Sequence, residues 1–336
     1  MEVKQVGVDQ QYTEKDTLIH ILHLSDLHFG DQALAEVCRT QLETDLIREL
    51  GIRQLEYLVL SGDVANHATQ EEYDAAFAMV DRLVQRFGLD ASRVMVVPGN
   101  HDVNWDLSEA AYPFVPKRKL PSPLPEDEYI PVGDAGALLR DDALYRDRFA
   151  HFSSHFYRRV YGGQEYPLAY ADQALVIEGA KDRILFLGLN SCWELDHHHQ
   201  GRASIHMPAL SQALDRLQDG KYDGWLKIAV WHHPVTGKQQ MNYEFLELLA
   251  VHGFRICLHG HIHEAKGDYF RYDSRGIRII GASTFGTQAT EQVPSIPLQY
   301  NLLTFDPESG RMTVNTRKRE KPGGAWSADA RWGSIF

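Results

Sequence analysis

Residues 19–28 read IHILHLSDLH, a strand-length apolar run that stops on Asp26 and His28. Residues 56–63, EYLVLSGD, do the same and stop on Asp63. Between them, Gln32 to Leu50 carries apolar residues at helical spacing. Strand, helix, strand is a βαβ unit, because two parallel neighbours need a long crossover. A helical pattern over 70–87 and a strand at 93–97, RVMVV, extend the alternation until Pro98-Gly99 breaks it with turn chemistry. In open α/β sheets functional groups gather beyond the carboxyl ends of the strands, which is where Asp26, His28, Asp63, Asn100 and His101 fall.

From Val103 to about Pro167 the pattern changes. Prolines cluster within 112–131, and a charged, aromatic, helix-like stretch follows, LLRDDALYRDRFAHFSSHFYRRVY. This reads as an insertion, 103–167, placed after a ligand-bearing loop to shape a pocket. The second half predicts strands near 174–178, 184–189, 226–231 and 254–259, helices near 208–219 and 241–251, and a β-rich end from Tyr269 to Thr316. The expectation is an α/β fold, one domain over 1–336 with a tail from 318, in which two sheets pack face to face between helices.

Composition narrows the function. Hydrophobic residues make up 43% and charged residues 24%, as in a soluble globular protein, and no apolar run reaches the roughly 20 residues that span a bilayer. The N-terminal stretch MEVKQVGVDQQYTEKD lacks the apolar region of a secretory signal, so a cytoplasmic location is expected. Cys38, Cys192 and Cys257 show no CxxC spacing, which suggests neither a disulfide framework nor a thiolate zinc site. A net charge of −12 disfavours capture of duplex nucleic acid. The basic stretch 311–331 is a local exception and reads as a solvated edge strand and tail.

The chemistry lies in five short blocks. Alternation along an extended Asp26-Leu27-His28 would put both side chains on one side, offering a metal one carboxylate and one imidazole. Asp63 can bridge two metals through its two oxygens, and Gly62 before it permits a close or unusual backbone. In Gly99-Asn100-His101-Asp102, Asn100 offers a neutral amide oxygen, His101 faces substrate, and Asp102 caps the turn. His232 ends a strand before Pro234, and His261 and His263 would share one face of an extended segment. Two adjacent cations can share a hydroxide for in-line attack on phosphorus, and His101 can protonate the leaving oxygen.

These blocks, in this order, resemble the pattern of the calcineurin-like metallophosphoesterase superfamily: D-x-H, G-D, G-N-H-[DE], a lone H, and G-H-x-H. They span Asp26 to His263. The resemblance implies a four-layer α/β/β/α sandwich and a binuclear centre of two divalent or trivalent ions. By motif, Asp26, His28, Asp63 and His263 would hold the first ion, and Asp63, Asn100, His232 and His261 the second. Mn2+, Fe2+/Fe3+ and Zn2+ all suit such nitrogen and oxygen donors.

Other residues admit plainer readings. The run His197-His198-His199 reads as a solvated loop, and His23, His233 and His259 as packing or as support for the ligand segments. His206 and His252 look structural. Asn190-Ser191 could meet substrate, and Trp105, Tyr112, Tyr157 or Tyr161 could stack on a base or pack in the core. The leading function is hydrolysis of small phosphodiesters, cyclic nucleotides first, since the WHHPV block looks like the bacterial cyclic-nucleotide branch. Alternatives are a single-strand nuclease and a nucleotide-sensing module whose C-terminal tail, with Trp326 and Trp332, contacts a protein partner.

Overall fold

The computed structural model describes residues 18–218, 220–237, 240–262, 266–287, 296–320, 324–330 and 334–335. The first βαβ units appear as read: β1 (Ile19–Leu24), α1 (Gln32–Thr44), β2 (Tyr57–Ser61), α2 (Gln70–Phe87) and β3 (Val94–Val97). Thr69 caps α2 through a reciprocal box with Glu72, and Gly88 ends it in a left-handed conformation. The helix expected over 32–50 is α-helical only to Thr44 and finishes in a π turn, Asp45–Glu49.

The insertion departs from expectation. Its proline-rich part folds, after α3 (Trp105–Ala110), into a three-stranded antiparallel sheet of β4 (Phe114–Pro116), β5 (Tyr129–Val132) and β6 (Gly136–Leu139), with β6 central. Pro116 and Pro131 lie on the two edge strands, where a missing N–H breaks no inner ladder. The helix-like stretch is broken into α4 (Asp142–Arg146), a π turn (Phe152–Tyr157) and α5 (Arg158–Val160).

Next come β7 (Ala174–Gly179), β8 (Ile184–Leu189), α6 (Met207–Arg216), β9 (Leu226–Val230), α7 (Phe245–Val251), β10 (Ile256–His259), β11 (Lys266–Tyr272) and β12 (Arg275–Gly281). The strands β13 (Leu298–Asp306), β14 (Arg311–Arg319), β15 (Ser327–Ala328) and β16 (Ser334–Ile335) complete the chain. Helix α7 starts four residues later than its periodicity suggests: Met241 N–H donates to the Pro234 carbonyl, and Asn242 Oδ1 accepts from Glu244 N–H. His206 caps α6 and His252 bonds back onto α7, so both are structural as read.

Two mixed sheets result, ordered β15-β14-β13-β1-β2-β3 and β11-β12-β10-β9-β8-β7, with β16 also pairing with β14. Period-two alternation splits each strand between two cores. Ile19, Ile21, Tyr57, Val59, Met95 and Val97 meet Ile184, Phe186, Ile228, Val230, Ile256 and Leu258 between the sheets. On the outer face of the first sheet, Leu22, Leu24, Leu58, Leu60 and Val96 pack against α1 and α2. On the outer face of the second, Leu185, Leu187, Ala229 and Cys257 pack against α6 and α7. The layers run helix, sheet, sheet, helix, as the sequence implied. Among the described residues no helix is long and apolar enough to cross a membrane.

Candidate metal centre

The strand ends of both sheets converge at one point. There the backbone leaves the extended region: Asp26, His28, Asp63 and His261 have φ of 53°, 44°, 52° and 62°. This corrects the sequence argument, which placed Asp26 with His28 on an extended segment and assumed the same for His261. Left-handed kinks, not strand alternation, turn these side chains together. Asp and His tolerate this region better than branched or bulky residues do. Cross-loop bonds hold the kinks: Asp26 N–H donates to the Gly62 carbonyl (3.0 Å) and Leu27 N–H to the Asp63 carbonyl (2.8 Å). At Gly62, with φ of 98°, a Cβ would stand 2.5 Å from His232 Nδ1, so both the turn and the close approach require glycine.

Six of the seven predicted ligands meet here. Asp63 Oδ2 is 3.1 Å from His232 Nε2 and 3.8 Å from His28 Nε2, while His28 Nε2 is 3.7 Å from Asp26 Oδ1. His232 Nε2 lies 3.1 Å from Asn100 Oδ1 and 3.2 Å from His261 Nδ1. His263 lies outside the described residues. The donor atoms form three linked triads, His28-Asp63-His101, Asp26-Asp63-His232 and His232-His233-His261, each within 4.8 Å. His101, read as facing substrate, therefore also stands at ligand distance. Its ring Nδ1 is 2.8 Å from the Asn66 carbonyl, and its backbone N–H donates to Asp63 Oδ1 (2.8 Å).

The electrostatics ask for positive charge. Asp26 and Asp63 are buried, which raises a carboxyl pKa, yet neighbouring imidazoles more than offset this and both stay below the usual carboxylate range. The imidazoles pay in kind. Burial would lower His232, but the Asp63 carboxylate and the Ser61 carbonyl raise it to about 9. His28 is likewise raised against burial by Asp26 and Asp63. His261 is pushed down to about 4, first by burial and then by the charge on His232. His232 Nδ1 donates to the Ser61 carbonyl (2.8 Å), so once neutral its Nε2 lone pair points at two oxygens and a nitrogen. The buried Nδ1 of His28 has no hydrogen-bond partner among the described residues. Such a crowd of acceptors, with no thiolate, fits hard or borderline cations that displace the imidazole protons.

The supporting residues were only partly foreseen. Asp102 caps as expected, accepting from Gly99, Val64 and Ala65 N–H groups, and burial together with the Asp63 charge raises it to about 6. Asn190 and Ser191 are buried and hold the loop: Asn190 bonds Gln173 and Cys192, and Ser191 Oγ accepts from the His232 and His233 N–H groups. The same oxygen lies 2.9 Å from His233 Nδ1. Ser25, which donates to Asp26 Oδ2 (2.5 Å), was missed, as were the carbonyls of Ser61 and Asn66. A backbone acceptor leaves no side-chain signature, and Ser25 has only its adjacency to Asp26.

The histidine run is not a free loop. His199 and Tyr112 both bond Asp196, and the His197 and His198 rings pack edge-on against Tyr112. In the basic C-terminal stretch, Arg317 and Arg319 are buried, Arg317 on Asp45 and Arg319 on Gln41, which corrects their reading as solvated. Trp326 is buried too, stacked on Phe285 and set edge-on to Tyr300, so it serves its own core. Trp332 lies outside the described residues.

Comparison with known proteins agrees with this fold. The profile of the calcineurin-like phosphoesterase family matches residues 19–265. Among curated proteins, the "Uncharacterized metallophosphoesterase-like protein YydB" of Bacillus subtilis (strain 168) is 22% identical over 252 residues, covering 74% of this chain and 49% of that protein. The chain thus spans about half the length of this relative. Among solved structures, the purple acid phosphatase PPD1 from yellow lupin (Lupinus luteus) seeds superposes with a TM-score of 0.52 at 11% identity, over 90% of this chain and 52% of that one. At that identity the likeness is one of fold.

Proposed function

The chain belongs to the calcineurin-like phosphoesterase family of metal-dependent hydrolases acting on phosphoesters, and from that membership and the site geometry we propose that it cleaves phosphodiesters of small nucleotides, cyclic nucleotides first among them. The observation that carries the reading is the run of linked donor triads in which Asp63 and His232 are each shared. Such an elongated donor set fits two adjacent ions. Asp26, His28, Asp63 and His263 would hold one, and Asp63, Asn100, His232 and His261 the other, with Mn2+, Fe2+/Fe3+ and Zn2+ the suitable ions. When bound, these ions supply charge to the phosphoryl oxygens and ready a water for attack near neutral pH.

The rest is the work of this chain. The Asn66 carbonyl fixes the His101 ring through Nδ1, leaving Nε2 to give a proton to the leaving oxygen. Ser61 fixes the His232 tautomer, and Ser191 holds the backbone of His232 and His233. The three cysteines are free and buried, which supports a reducing, cytoplasmic setting for the reaction.

The test is a substrate panel on metal-stripped protein reloaded with Mn2+: bis-p-nitrophenyl phosphate, p-nitrophenyl phosphate, cyclic nucleotides and single-stranded DNA. Hydrolysis of a cyclic nucleotide, abolished by Asp63→Ala, supports the reading. Cleavage of DNA alone would replace it with a nuclease, and two bound ions without turnover would replace it with a sensor.

A further inference from the structure

A cavity of about 550 Å³ opens beside the donor cluster and shares Asn100, His233 and His261 with it. Its remaining described wall comes from residues that supply no ligand. Val103 and Trp105 line it at the entry to the insertion, Leu195 and Gln200 after β8, and Gln240 beyond β9. Val103 and Leu195 belong to a buried cluster with Phe149 and Cys192, so this side of the cavity is held in place. Gln200 and Gln240 are exposed residues of its lining, and their side chains carry amides. Its size is that of a small-molecule site, and its lining mixes apolar residues with polar ones, Asp196 among them.

The aromatic residues separate cleanly. Tyr112 is buried and bonded to Asp196. Tyr157 and Tyr161 stack on each other, and Tyr161 donates to the Val94 carbonyl. Trp105 alone of these four lines the cavity, half-exposed at the start of α3. Indole faces bind flat heteroaromatic rings largely regardless of their identity, while a primary amide offers both a donor and an acceptor to a base edge.

We infer that this cavity is the nucleobase subsite of the substrate, with Trp105 as the stacking wall and Gln200 and Gln240 reading the base edge. The inference rests on the phosphodiesterase reading above and adds what selects the ester. A sugar could also lie on an indole, so base and ribose are separated by experiment.

With Mn2+-loaded protein, kcat/KM is measured for the p-nitrophenyl ester of thymidine 5′-phosphate and for methyl p-nitrophenyl phosphate, which shares the leaving group and lacks the base. The wild type should prefer the thymidine ester, Trp105→Ala should cut that preference at least about five-fold, and Trp105→Phe should restore most of it. A preference that survives Trp105→Ala, however far both rates fall, overturns the inference. Binding of AMP and of ribose 5-phosphate by calorimetry gives a second readout that needs no turnover. Tighter binding of AMP, lost in Trp105→Ala, would uphold the subsite even if neither ester were cleaved and the phosphodiesterase reading fell. Equal binding of the two would overturn it.

Discussion

Asp196 ties the insertion to the loop that lines the cavity, and replacing it with asparagine should loosen that tie by an amount that depends on pH. Its Oδ2 accepts from Tyr112 (2.7 Å) and Tyr145 (2.9 Å) of the insertion. Its Oδ1 accepts from the backbone of His198 (2.8 Å) and His199 (2.7 Å) and lies 3.0 Å from the His199 ring. Burial alone would raise its pKa, but these donors hold it down to about 2. Because the folded value is depressed, the stabilisation is complete above the unfolded carboxylate's ordinary pKa of about 3.9 and is lost as pH falls toward about 2. The shift corresponds to about 2–3 kcal/mol, which screening by solvent at the half-exposed histidines reduces to about 1–2 kcal/mol.

Asparagine cannot ionise and forgoes this contribution. Urea melts of wild type and Asp196→Asn from pH 7 to pH 3 should show a gap of about 1–2 kcal/mol at neutral pH that shrinks to about half by pH 3. A gap that stays constant over this range, or that is absent at pH 7, would refute the assignment of Asp196 as a charged anchor.

Three further outcomes follow from the geometry. His101→Ala should slow esters with alkyl leaving groups by roughly 10²–10⁴-fold and p-nitrophenyl esters far less, since p-nitrophenolate leaves without a proton; equal losses on both would rule out proton donation. Gly62→Ala should sharply lower bound metal, measured by elemental analysis of the reloaded protein, because the new Cβ would collide with the His232 ring; a full metal complement would show that the turn can yield. Trp326→Ala should cost about 3–5 kcal/mol in urea melts, since the indole is buried against Phe285, Tyr300 and the Arg319 guanidinium; an unchanged midpoint with a lost partner would restore the tail as a contact surface.

The strands were readable because those of a parallel sheet covered on both faces are nearly continuous apolar runs, as in YLVLS and VMVV. Several of their ends were readable because they run into Gly or Pro, as at Gly62, Pro98 and Gly260. The insertion was less so: its prolines suggested irregular chain, and only the structure shows them confined to the outer strands of a small sheet. Periodicity marks a helix without marking where tertiary contacts unwind it, which is how α7 lost its first turn to the Met241 bond and α1 ran into a π turn. For Trp326 the sequence favoured its own core over a partner without showing where it would dock, because burial depends on where the tail returns, and it returns along β14.

The metal centre shows most clearly what pattern alone leaves out. The residue types and their order were visible; the conformation that makes them a site was not. Each left-handed non-glycine residue costs of order 1 kcal/mol or more, so Asp26, His28, Asp63 and His261 persist only because their surroundings over-determine them. Some of the bonds that do so cross between the two sheets. His232 reaches from the end of β9 to the Ser61 carbonyl of β2, and His261 N–H donates to Asp26 Oδ2. Phe285 and Gly286, after β12, donate to the Asp26 carbonyl. Bonds within the first sheet shape the turns at Asp26 and Asp63, and the bonds between the sheets bring the two sets of donors together, so the site is complete only where the two sheets close on each other.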